Sequence, residues 1–125
     1  MRQHVSSGST YERDIGFSRA VRDGDRVYVS ATAAIQPDGS VDPDAATQAS
    51  RCLEIIAAAL VEAGASLSDV VRTRVFLVDA ADGPAVGEVH GRAFGDVRPA
   101  SGFIVVSGFL DPRWRVEIEA DAVVR

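Results

Sequence analysis

The chain has 125 residues, enough for one domain built on one hydrophobic core and too few for a second. Its residues are 46% hydrophobic and 25% charged, the balance of an ordinary folded globular protein. A net charge of −5 leaves no basic field to hold a phosphate backbone, so nucleic acid is excluded as the main partner, and no apolar run approaches a membrane span.

In chain order, residues 1–14 carry no strong pattern and are expected to precede the domain as an N-terminal extension, the domain itself being single over 1–125. Residues 15–21 and 25–33 alternate as two strands, and Arg22-Asp23-Gly24-Asp25 between them is a hairpin signal. Pro37-Asp38-Gly39 makes a further turn, with a short strand expected around Ser40 and Val41. Asp42 is the expected cap of a first helix, with Pro43 in its first position. Ala46, Ala49, Leu53, Ile56, Leu60 and Ala63 recur at steps of three and four, which places one stripe on a sheet, and Gly64 ends the helix in a left-handed cap. Residues 66–70 read as a loop or single turn.

Residues 71–78 form the most β-prone stretch, with Arg72 and Arg74 on the face opposite Val71, Thr73 and Val75. A second helix is expected from Gly83 or Pro84 to Phe94. Glycines fall at 83, 87, 91 and 95; the two internal ones each cost about 1 kcal/mol against alanine, and close approach of the helix to its neighbours is the expected reason. Arg98-Pro99-Ala100-Ser101 is a stiffened turn into an apolar strand over 103–107. After a turn at 108–112 the last strand sets Val116, Ile118, Ala120, Ala122 and Val124 on one face and Glu117, Glu119 and Asp121 on the other. The order places two helices on one face of a mixed sheet, an α+β architecture.

The lone Cys52 excludes an intrachain disulfide, and with His4 and His90 it makes no metal-ligand spacing, so neither a metal nor a cofactor is expected. The first ten residues lack the apolar core of a signal peptide, and a cytoplasmic protein is the expectation. No Ser/His/Asp arrangement or Gly-rich phosphate loop is present.

Several runs carry a resemblance. Gly16-Phe17-Ser18-Arg19-Ala20, Val27-Tyr28-Val29-Ser30, the helix over 45–64, Val71-Arg72-Thr73-Arg74-Val75, Arg98-Pro99-Ala100-Ser101 and Val116-Glu117-Ile118-Glu119-Ala120 together resemble the RidA family, also called YjgF. The resemblance implies a bacterial chorismate-mutase-like fold and a homotrimer around a central barrel, with small-molecule clefts between subunits. It implies hydrolytic deamination of 2-imino or enamine acids: an arginine holds the substrate carboxylate, water attacks the C=N carbon, and ammonia leaves a 2-keto acid. The family's arginine stands two residues after the proline, where this chain has Ser101; the nearest guanidinium, Arg98, precedes it. The resemblance further implies Glu119 as the water-positioning carboxylate, and Phe17, Ser30, Glu88, Arg98 and Ser101 as substrate-binding residues. Phe17 replaces a tyrosine and Glu88 an asparagine. The expected partner is a small carboxylic or carbonyl compound. A non-catalytic metabolite-binding trimer is the rival reading, and an endoribonuclease ranks last on charge. Read from the residues alone, Glu117 and Glu119 are better explained as a solvated strand face or as cross-strand partners of Arg72 and Arg74.

Overall fold

A computed structural model describes residues 2–125. Six strands form one sheet in the order β1-β2-β3-β6-β4-β5: β1 Arg2–Val5, β2 Ala20–Asp23, β3 Arg26–Ala33, β4 Val70–Leu77, β5 Ala100–Val105 and β6 Val116–Val123. Helices α1 (Ala45–Glu62) and α2 (Gly83–Phe94) cover the same face. All sheet pairings are antiparallel except β4 with β5, so the architecture is a mixed α+β layer as expected.

The core lies between helices and sheet. Val27, Val29, Val75, Leu77, Val116, Ile118, Ala120 and Ala122 point up from the strands to meet Ala49, Cys52, Ile56 and Leu60 of α1 and Val86 and Phe94 of α2. In α1 the buried set also includes Gln48, a polar residue inside the apolar stripe. Its amide donates to the carbonyls of Asp42 (2.7 Å) and Arg113 (2.9 Å) and accepts from the Arg115 N–H (2.8 Å), fastening α1 to the start of β6.

Several local expectations change. Residues 2–5, placed by the sequence in an extension, pair with β2 as an edge strand. Residues 12–16 form a wide π-helical turn instead of opening a strand. Glu12 anchors it by accepting from Ser6 Oγ and the Ser7 N–H, and Gly16 leaves it at φ +83°. No strand forms at Ser40 and Val41, because the Ser40 carbonyl and N–H are spent within the turn on Gln36 and Asp38. The cap of α1 is Asp44, which accepts from the Thr47 N–H at 2.9 Å; Asp42 instead bonds the Asp44 N–H, so Pro43 stands outside the helix.

The hairpin at 22–25 forms with only its first central residue, Gly24, at positive φ (+64°), the pattern of a II′ turn. Gly64 caps α1 at φ +83°, the following Ala65 N–H reaching back to Leu60 O at 2.7 Å. In β4 the register against β6 slips between Val70 and Arg72, so Val71 is extruded as a bulge and exposed rather than sharing a face with Thr73 and Val75. Close approach does not explain the α2 glycines: a Cβ on Gly91 would meet nothing within 4 Å, and one on Gly87 only the Phe103 ring at 3.9 Å.

Candidate functional site

The face of the sheet away from the helices carries Glu117, Glu119 and Asp121 from β6. Register places Glu119 opposite Arg74, and Arg74 Nη1 bonds it at 2.8 Å while standing 3.9 Å from Asp121. Glu117 has different neighbours, Ala33 on β3 and Phe76 on β4. Flanked by apolar side chains, it loses water without gaining an adjacent cation, and burial pushes its carboxyl above the usual range, opposed by the more distant Arg19.

Arg19, from the extended segment before β2, lines a hollow against Arg51, Glu54 and Ala58 of α1. Its Nη1 donates to Thr32 Oγ1 (2.9 Å), Ala31 O (3.3 Å) and Ser30 Oγ (3.3 Å), all neutral acceptors. None of the ion pairs among the described residues involves it, and burial draws its pKa below the ordinary arginine value. The β-bulge between Val29 and Thr32 turns these three acceptors toward one guanidinium. Ser30 Oγ also lies within 3.1 Å of Ser18 O and 3.0 Å of Arg19 O, so this hydroxyl holds the 18–19 segment in place. Phe17 lies just upstream, half-buried beside His4, Ser6, Glu12 and Ser18 in a small hollow.

A second cluster stands at the opposite edge of the sheet. Ser101 pairs in register with Thr73, on the helix-facing side. Thr73 Oγ1 lies 2.8 Å from both Ser101 Oγ and His90 Nε2, and the His90 ring packs on Phe94 and Phe103 at centroid distances of 4.8 and 5.7 Å. Burial lowers the His90 pKa, leaving a neutral imidazole at neutral pH. Arg98 is exposed at the end of the turn after α2, in the left-handed conformation (φ +53°), its N–H bonded to Phe94 O. Glu88 pairs with Arg92 one helical turn on, at 3.1 Å.

Of the residues expected at the site, Arg98 and Glu88 stand exposed and Glu119 is taken up by Arg74, while the others fall into two groups in one chain. Ser30 with Arg19 lies at the start of the β2–β3 pair, with Phe17 just upstream beside β1; Ser101, with Thr73 and His90, lies at β5. β6 and β4 separate β3 from β5, three strand spacings or about 14 Å. Sequence reasoning passed over Arg19, Glu117, Thr73 and His90 as site groups. Arg19, Thr73 and Glu117 lie within the runs that carry the resemblance, but their settings, and that of His90, come from a bulge, a cross-strand pair and a helix that sequence does not align.

The family profile described as Endoribonuclease L-PSP matches residues 11–124. The chain belongs to this family, known as YjgF or RidA. Among solved YjgF structures, Rv2704 from Mycobacterium tuberculosis superposes with a TM-score of 0.91 at 44% identity, covering 99% of this chain and 100% of that one. Protein SCO2049 of Streptomyces coelicolor is 40% identical over 96% of this chain and 90% of its own length. The 3-aminoacrylate deaminase RutC of Acinetobacter baylyi is 38% identical over 78% of this chain and 79% of its own. Set in the YjgF frame, Ser101 stands where the resemblance implies the carboxylate-holding arginine, and Arg19 is the guanidinium whose pKa burial lowers.

Proposed function

We propose that the protein is a hydrolytic deaminase of small imine or enamine acids, working in a cleft between copies of the chain. The observation that carries this reading is a partly desolvated guanidinium outside every described ion pair, Arg19, whose charge reaches a carboxyl, Glu117, that burial has raised in pKa. Arg19 holds the substrate carboxylate through the donors not spent on Ser30, Ala31 and Thr32, a fork suited to two oxygens. Glu117 takes a proton from water as its oxygen attacks the C=N carbon. It returns that proton to nitrogen, and a second proton, passed from the new hydroxyl, lets the nitrogen leave as ammonia while the carbon becomes a carbonyl. A carboxyl with a raised pKa exchanges that proton near neutral pH better than an ordinary one. Glu119, already paired with Arg74, serves this role less well.

A cleft shared between copies is supported by the β5 edge. All six of its residues are exposed in the single chain, Phe103, Ile104 and Val105 among them, and an uncovered apolar edge strand invites a partner. Joining the two clusters about 14 Å apart around one small ligand takes a second copy, and a trimer supplies three such clefts. The relative named 3-aminoacrylate deaminase adds an enamine acid to the substrates worth testing.

The test generates imino acids in place with an amino-acid oxidase and follows keto-acid release. The wild type accelerates release; Glu117→Gln loses about a hundredfold or more in kcat, the usual share of a positioned acid-base group, and Arg19→Gln raises KM. No acceleration with any of several amino acids contradicts the reading. One observation favours the rival, a metabolite-binding module without turnover: the serine at the family's arginine position. Binding without turnover would establish it. Net charge of −5 leaves ribonuclease activity unsupported despite the profile's name.

A further inference from the structure

We propose that Ser101 donates a hydrogen bond to the uncharged atom at the ligand's reacting carbon, an imine nitrogen or carbonyl oxygen, and does not hold its carboxylate. This rests on the cleft described above and deepens it. Thr73 is 1% exposed, and its hydroxyl donates to Ser101 Oγ at 2.8 Å while touching His90 Nε2 at 2.8 Å. A hydroxyl has a single proton. With that proton committed to Ser101, the bond to His90 requires the imidazole to donate from Nε2. Ser101 Oγ then accepts from Thr73, and its own proton is left over at the exposed edge of β5.

The imidazole is gripped by Phe94 from its own helix and Phe103 from β5, with Thr73 of β4 at its tip, and no charged side chain contributes to its titration. Acidification adds a proton at Nδ1 and leaves Nε2–H in place, so the direction survives protonation. A lone neutral donor satisfies a carbonyl oxygen or imine nitrogen. A carboxylate buried there would lose its water without gaining a countercharge. The proton on Ser101 therefore polarises the C=N bond that Glu117's water attacks, while the carboxylate stays with Arg19.

Two measurements on the full-length protein test this. Long-range 1H–15N NMR of the His90 ring should show the Nε2–H tautomer; Nδ1–H alone overturns the proposal. Calorimetric binding of pyruvate and propionate, which differ by the keto oxygen, should favour pyruvate by about 3–10-fold, the range of one neutral hydrogen bond. Ser101→Ala should abolish that preference and leave propionate unchanged, and Thr73→Val, which removes the bond that orients the Ser101 hydroxyl, should reduce it, whereas Arg19→Gln should weaken both acids alike. Equal loss of both acids in Ser101→Ala, or no preference for pyruvate in the wild type, including no binding of either, overturns it. Turnover of imines with the wrong tautomer would sink this inference alone. A Ser101-dependent pyruvate preference without turnover would sink the deaminase reading alone.

Discussion

Gln48 shows how one polar side chain can hold a site in place from beneath. It is fully buried in α1, and its amide serves three backbone groups, one in the loop at 42 that leads into α1 and two at 113–115 that lead into β6, the strand carrying Glu117. Gln48→Leu keeps the volume and strands those groups, so it should cost about 1–3 kcal/mol in denaturant unfolding; a neutral effect would mean water replaces the amide freely. His90 gives a pH prediction. Its folded pKa lies below the ordinary 6.5, so the stabilisation from its neutral form is complete above 6.5 and lost as pH falls below it. Between pH 8 and pH 5 the wild type should lose more unfolding free energy than His90→Gln; equal losses would contradict the buried, neutral ring. Neither role is visible in the sequence. Gln48 sits in a helical stripe that reads as apolar, and His90 has no spacing to a partner until β4 and α2 bring Thr73 to its ring. Glu119 was legible as acidic and outward-facing. That Arg74 would occupy it and leave Glu117 in an apolar gap depended on the cross-strand register.

At the scale of elements, the periodic segments were readable and the irregular ones were not. α2 runs over Gly83–Phe94 as its pattern predicted, and the hairpin forms where expected but turns on Gly24-Asp25 rather than Asp23-Gly24. The Asp42-Pro43-Asp44 run offered two caps, and only the observed bond to Thr47 decides between them. The bulge at Val71 follows from pairing with β6, which local alternation cannot reveal. Gly91 belongs to this scale too. It lies in mid-helix with open space where a Cβ would stand, so Gly91→Ala should stabilise the protein by about 0.5–1 kcal/mol and raise its melting temperature. A drop would show that something not present in the single chain approaches that face.

For the whole molecule, the sheet is finished on one edge and unfinished on the other. β1 closes the β2 side with a short strand whose outward residues are polar, while β5 leaves Phe103, Ile104 and Val105 in solvent. The α+β layering followed from element order, but the meeting of two copies is not encoded in any periodicity; it enters through the family resemblance and the bare edge. The central claim is that Ser30's corner on one copy faces Ser101 on another. Cysteines placed at both positions can test it, since the native Cys52 is buried and its thiol pKa is pushed up to about 12, leaving it inert to alkylation. A crosslinker spanning about 5 Å is too short to bridge the roughly 14 Å within one chain. On a denaturing gel, Ser30→Cys/Ser101→Cys should run as covalently joined chains after treatment, with either single variant unlinked. A double variant that stays entirely single-chain would contradict the shared cleft.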